Sequence, residues 1–280
     1  MNEKNNRRIN LSPPQQITLV FLFLIFLGTF LLILPISSAG EASVSWLDAF
    51  FTATSAVCVN GLTVVDISSS FSTFGQIVIM ILIQIGGLGF MTFGVVVAIL
   101  FGKRISLKER LVIQQSTQSQ TGQGLIKLSL SIFFIAFAFE IIATLILTIR
   151  WMKDLSFGQA LYYAIFHSVS AFNNAGFSLW PNSLAVYYND PIVYLTVMAL
   201  FISGGLGFIV IVEIFKKRKW RKFSLHTKIV LLSTPILLFS GFVLILLLES
   251  WNKATFGALT WQERIGAALF HSATARSAGF

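Results

Sequence analysis

Five apolar runs, near 17–35, 74–101, 125–149, 191–215 and 229–248, decide the medium in which this chain can fold. Each is close to the roughly 20 helical residues that cross a bilayer's hydrocarbon core. A soluble domain could not bury them all in a chain that is 55% hydrophobic and 11% charged, with a mean hydropathy of +0.81. Soluble domains carry about 25% charged residues. The chain therefore reads as an all-α integral membrane protein. A cleaved signal peptide could account for the first run and its "LPISSAGEA" tail, but the same element recurs later in the chain, which favours a retained helix.

Charge orients the runs. Fifteen of the 20 Lys and Arg fall before the first run (Lys4, Arg7, Arg8), between the second and third (Lys103, Arg104, Lys108, Arg110, Lys127), and between the fourth and fifth (Lys216, Lys217, Arg218, Lys219, Arg221, Lys222, Lys228). With one crossing per run these clusters share a side, and the positive-inside rule makes it the cytoplasm. The net charge of +9 is then explained by loops beside the lipid bilayer, with no nucleic acid partner. Seven of the 11 acids (Glu41, Asp48, Asp66, Asp154, Asp190, Glu249, Glu263) fall on the opposite side, a field that favours an arriving cation. Cys58 is the single cysteine, so neither an intramolecular disulfide nor a cysteine metal site is available.

Three half-polar stretches interrupt the runs, and they repeat. "FFTATSAVCVNGL" (50–62), "IFHSVSAFNNAGF" (165–177) and "LFHSATARSAGF" (269–280) align, and the runs after the first two share "QIGGLGF" (84–90) and "ISGGLGF" (202–208). Two phrases in one order mark internal duplication. The chain divides into an N-terminal segment 1–16 and units at 17–110, 111–222 and 223–280, the last stopping at its hairpin. Each hairpin opens with a capping-box pair (Ser45/Asp48, Ser156/Gln159, Thr260/Glu263) and closes at a glycine (Gly61, Gly176, Gly279). That pattern describes a short re-entrant helix followed by an extended return. Irregular backbone inside a membrane needs cover from protein or water.

A helix entering from outside points its partly negative C-terminus at the membrane centre, which favours a cation. The extended residues after it can offer carbonyl oxygens in place of an ion's hydration shell. The candidate ion-binding segments are Cys58, Val59, Asn60 and Gly61; Asn173, Asn174, Ala175 and Gly176; and Arg276, Ser277, Ala278 and Gly279. They share only the glycine, as expected if backbone rather than side chains coordinates, with unequal copies around a pseudo-fourfold axis. Asn60, Asn173 and Asn174 are expected to brace that backbone, and His167 and His271 to pack and hydrogen-bond beside it. Glu140, the one acid deep in an apolar run, is expected to hydrogen-bond a neighbouring helix, with a functional role the default alternative. The paired glycines of "GGLGF" suit close helix packing.

These phrases resemble the Trk/Ktr/HKT superfamily of potassium transporters, and are most similar to membrane subunits of the bacterial Ktr system. "TATSAVCVNGL", "HSVSAFNNAGF", "TARSAGF" and "LSPPQ" before the first run carry the resemblance, which covers essentially the whole chain. It implies outer helix, re-entrant pore helix with filter, and inner helix, repeated around one pore. It implies potassium uptake across the bacterial plasma membrane, with sodium as a required ion, a second copy in a homodimer, and a KtrA-like cytoplasmic nucleotide-binding regulatory subunit. The basic loops at 102–110 and 216–228 would be the docking surfaces, with anionic lipid the competing account of them. Arg276 would turn away from the pore and hydrogen-bond the hairpin backbone. The family carries four units, whereas two and a half stand here, so a third inner helix with its gating loop and a fourth unit are expected after Phe280.

The resemblance implies no cofactor and no metal beyond the potassium filter. A secondary transporter for a small organic solute is the competing reading, since broken helices also build such sites. It needs ionisable groups at mid-membrane, and Glu140 is nearly alone there. An intramembrane enzyme would need a nucleophile–base pair or metal-ligand spacing, neither of which is visible.

With the basic clusters inside, a cysteine introduced at position 66 or 190 should react with a membrane-impermeant reagent added outside, and one at position 106 should not. The reverse pattern would overturn the topology.

Overall fold

Proline carries no N–H and holds φ near the helical value, so Ser12-Pro13-Pro14 is a ready helix start. Helix α1 (Pro13–Ile33) begins there, with the Gln15 side chain accepting from the Ser12 N–H at 2.9 Å. The computed structural model describes residues 12–40, 44–89, 92, 125–252 and 254–280. The expectations for Lys4, Arg7, Arg8, Glu41 and the loop at 102–110, including the unit boundary at 110/111, lie outside the described residues. The remaining helices are α2 (Trp46–Cys58), α3 (Ile67–Ser70), α4 (Thr73–Leu88), α5 (Leu125–Trp151), α6 (Phe157–Phe172), α7 (Pro191–Gly205), α8 (Phe208–Lys217), α9 (Leu225–Glu249) and α10 (Trp261–Thr274). Among the described residues there is no strand, only an isolated bridge between Ser38 and Phe71. The expected all-α class is what the chain adopts.

Helices α1, α5 and α9 are long and apolar enough to cross a bilayer. The runs at 74–101, described as far as Gly89 and at Thr92, and 191–215 are not single continuous helices. Helix α4 stops at Leu88, and the run at 191–215 breaks into α7 and α8, bent by 94°. The last glycine of each "GGLGF" causes this. Gly89 (φ 78°) and Gly207 (φ 89°) adopt positive φ, a conformation that a side chain disfavours and that ends a helix. The first glycine of each motif serves packing, as expected. A Cβ on Gly86 would collide with the Val57 carbonyl oxygen, and one on Gly204 with the Phe172 carbonyl oxygen.

The short helices start as their capping sequences require. Ser45 Oγ accepts from the Asp48 N–H, and Thr260 and Glu263 form a reciprocal box. Ser156 instead donates its hydroxyl to Gln159 Oε1 (3.2 Å) and caps no backbone N–H. Each long helix packs on the short helix that follows it: α1 on α2, α5 on α6, α9 on α10. Helix α4 packs on α2 and α6, and α7 on α6 and α10, so the broken helices join one hairpin to the next. Small residues line these contacts, with Ala49, Ala53 and Ala56 of α2 and Ala160, Ala164 and Ala171 of α6 fully buried. Lipid supplies no hydrophobic drive between helices, so close backbone approach and van der Waals contact must hold them. Glu213 clamps the basic turn after α8: its carboxylate accepts from the Ser224 N–H (2.9 Å), Ser224 Oγ (2.7 Å) and Thr227 Oγ1, and pairs with Lys217.

Gly89→Ala and Gly207→Ala place a side chain where φ is positive and ψ extended, at a cost of about 1–3 kcal/mol each. The thermal midpoint of the detergent-solubilised full-length protein should fall in both variants. An unchanged midpoint would show that the breaks do not depend on glycine.

Candidate hairpin site

The C-terminal ends of α2 and α6 close in the same way. The Asn60 N–H bonds the Ser55 carbonyl (3.1 Å) and the Ala175 N–H bonds the Ser170 carbonyl (2.7 Å), each bond spanning a left-handed residue. This is the Schellman closure, which ordinarily places glycine at the left-handed position. Here the residues are Val59 (φ 56°) and Asn174 (φ 59°). Asparagine tolerates that conformation, but a β-branched valine is strained there, by roughly 1–3 kcal/mol. Two residues on, Gly61 (φ 74°) and Gly176 (φ 70°) turn left-handed again, as does Gly279 (φ 71°) in the third hairpin. The third hairpin has no left-handed residue before its glycine, and its Gly279 N–H reaches the Thr274 carbonyl at 3.4 Å.

Hydroxyls at one register pin each return. Ser170 Oγ donates to the Phe177 carbonyl (2.7 Å), and Thr274 Oγ1 to the Phe280 carbonyl (3.3 Å). In the first hairpin the tie runs through a side chain: Ser55 Oγ donates to Asn60 Oδ1 (2.5 Å), which also accepts from the Leu62 N–H (3.1 Å). These three hydroxyls were not among the expected site residues. Their signal was present, since Ser55, Ser170 and Thr274 occupy the same place in the aligned phrases.

The three segments are neighbours. A Cβ on Gly61 would collide with the Ala175 carbonyl oxygen, and one on Gly176 with the Ala278 carbonyl oxygen. Gly61, Gly176 and Gly279 line one cavity of about 370 Å³, with Thr63, Asp66 and Ser178 at its wall. Asn174 links two segments directly: its amide nitrogen is placed to donate to Ser277 Oγ (3.0 Å) and the Phe201 carbonyl (2.9 Å), and its oxygen to accept from the Gly205 N–H (3.2 Å). Ala175 and Ala278 are buried. Cys58, Asn60, Ser277 and Arg276 are exposed, and Val59 is half-buried. The expected hydrogen bond from Arg276 to the hairpin backbone is absent among the described residues; its side chain is exposed with no hydrogen bond.

Asn173 faces away from that cavity, into protein. It is 7% exposed, and its Nδ2 lies 2.7 Å from Gln84 Oε1, 3.3 Å from Glu140 Oε1 and 2.9 Å from the Val169 carbonyl. Gln84 Nε2 donates in turn to Glu140 Oε2 (3.0 Å), so a buried carboxylate and two amides join α4, α5 and the end of α6. The expected partner of Glu140 on a neighbouring helix is therefore Gln84, a lone amide just ahead of "GGLG" whose role the apolar pattern concealed. His167 is fully buried: Nδ1 faces the Tyr163 carbonyl (2.7 Å) and Nε2 faces Ser178 Oγ (3.1 Å). A carbonyl only accepts, so the proton sits on Nδ1 and Nε2 accepts from Ser178. Trp151 packs edge-on against this ring. His271 is exposed, with its ring beside Phe256. Among the described residues no group of three His, Cys, Asp or Glu could hold a metal.

The chain matches the TrkH cation transport protein family over residues 3–280. It is 44% identical to Ktr system potassium uptake protein B of Bacillus subtilis over 97% of this chain and 61% of that protein. To the protein of the same name from Vibrio alginolyticus it is 43% identical, over 95% of this chain and 59% of that protein. To the potassium/sodium uptake protein NtpJ of Enterococcus hirae it is 38% identical, over 99% and 61%. The chain thus spans about 60% of the length of these curated relatives. The crystal structure of the potassium transporter TrkH from Vibrio parahaemolyticus shares the fold, with a TM-score of 0.66 at 17% identity, over 96% of this chain and 51% of that one.

Glu140→Leu would strand the buried Nε2 donor of Gln84, and should destabilise the protein by about 1–3 kcal/mol. Glu140→Gln keeps one acceptor and should cost about half as much. Thermal unfolding of the full-length protein in detergent measures both, and equal midpoints for the two variants would remove the brace.

Proposed function

Because this chain belongs to the TrkH cation transport protein family, we propose that it is the membrane-embedded, ion-conducting part of a Ktr-type potassium uptake system. The observation that carries this reading is the convergence of Gly61, Gly176 and Gly279 on one polar-walled cavity, each at the end of a short helix whose closing backbone turns left-handed. In the first two hairpins left-handed residues two positions apart (Val59 and Gly61, Asn174 and Gly176) flip peptide planes, so their carbonyls can line up on one side. In this reading the ion passes along backbone oxygens of 58–61, 173–176 and 276–279, in place of its water shell. The side chains brace that backbone: Asn60 within its own hairpin, Asn174 across to Ser277, and Asn173 back to Gln84 and Glu140.

No titrating group is needed for the step itself. A membrane potential supplies about 2.3 kcal/mol per charge per 100 mV, which drives a cation inward through a continuous oxygen-lined path. The names of the relatives support potassium as the ion, and that of the Enterococcus protein supports sodium as a second participant. The proposal includes a plasma-membrane location with the N-terminus cytoplasmic, a homodimer, and a KtrA-like cytoplasmic nucleotide-binding regulatory subunit. The turn carrying Arg218, Lys219, Arg221 and Lys222, held in shape by Glu213, is the proposed contact with that subunit.

Gly61→Ser, Gly176→Ser and Gly279→Ser, each in the full-length protein, test the reading by uptake in a cell lacking its own potassium transporters. Strain at these positions should weaken apparent potassium affinity about tenfold, or admit sodium. Unchanged affinity and selectivity in all three would make the glycines ordinary turns and overturn the filter.

A further inference from the structure

Helices α5 and α8 meet at an open groove of about 540 Å³ on the flank of the protein, away from the hairpin cavity. Its walls are apolar, with Phe134, Ala138 and Phe139 from α5 and Val212 and Phe215 from α8. Its mouth holds two cations, Lys127 near the start of α5 and Lys216 near the end of α8. Both are exposed, and neither belongs to the three ion pairs among the described residues. The next residue, Lys217, is taken by Glu213, which leaves Lys216 to the groove.

Two ammoniums over one apolar slot, without an ion pair among the described residues, repel each other, and a shared anion removes that repulsion. The slot's length identifies what the anion is attached to. From Lys127 to Phe139 helix α5 rises about 18 Å, close to the roughly 15 Å of hydrocarbon in one leaflet. Residues 127, 131, 134 and 138 recur at helical spacing, so a single stripe of α5 runs from charge to apolar depth. Free phosphate would leave that apolar stripe unused, whereas a headgroup with a chain attached fills both parts. Basic pockets between membrane helices are the setting in which anionic headgroups are held.

We propose that the α5–α8 groove is a binding site for an anionic phospholipid of the leaflet on the basic side. The phosphate lies between Lys127 and Lys216, and one acyl chain runs along Phe134, Ala138 and Phe215. The site does not depend on the transport reading, since it uses none of the hairpin residues. It places a lipid against α8, the segment beyond the break at Gly207.

Native mass spectrometry of the full-length protein in detergent, titrated separately with phosphatidylglycerol and phosphatidylcholine, tests it. Two lysines at the membrane surface should favour the anionic lipid by roughly thirtyfold. The Lys127→Gln/Lys216→Gln double variant changes only exposed side chains and should hold both lipids alike. Ala138→Phe fills the exposed slot with both lysines in place and should release the anionic lipid as well. Equal retention of the two lipids by the wild-type protein overturns the proposal, as does retention of none because another chain covers the groove. A preference that survives the double variant, with the headgroup on the 218–222 turn instead, overturns it too. So does a preference that survives Ala138→Phe.

Discussion

Backbone that leaves the helix inside a membrane has no water to satisfy it, and every unpaired N–H or C=O there costs several kcal/mol. The hairpins after α2, α6 and α10 meet that constraint with their own side chains. The hydroxyls of Ser55, Ser170 and Thr274, all within the last turn of their helices, reach forward to the returning segment. The Schellman bonds at Asn60 and Ala175 consume carbonyls that the helix ends would otherwise leave open. The broken helices then complete the cover. Gly86 and Gly204 let α4 and α7 press against the last carbonyls of α2 and α6, where any side chain would hold them off.

The Glu140 cluster is the same problem met with charge. A lone buried carboxylate is costly, yet partners on two other elements make it a cross-link rather than a defect. Gln84 serves twice, accepting from Asn173 and donating to Glu140, so removing Glu140 leaves the Gln84 donor without its partner. Because α4 reaches its break at Gly89 one turn beyond Gln84, the cluster ties the second hairpin to the point where the first broken helix changes direction.

Much of this was legible in the residues. Apolar runs and capping pairs located nearly every helix, and the repeated phrases marked where the hairpins lie. Two things were not. In "GGLGF" glycine signals close approach and helix termination with the same letter, and only backbone angles separate Gly86 from Gly89. Gln84 and Asn173 are 89 positions apart, and no periodicity pairs them. Arg276 differed from expectation for a related reason. Its partner was assigned from resemblance, and the local hairpin, one residue shorter than the other two, offers its side chain no acceptor.

Counting back from each glycine, Cys58, Asn173 and Arg276 hold the corresponding place. In an assembly of identical subunits a single codon would fill that place everywhere around the ring, and an arginine would arrive as a belt of positive charge. Written along one polypeptide, the place is filled by a thiol, by an amide locked to a buried carboxylate, and by an exposed guanidinium. Three unequal hairpins along one chain thereby give charge a dose of one. A hairpin can acquire a cation, an anchor or nothing at all while its neighbours keep what they had, a freedom of design closed to any strictly symmetric ring.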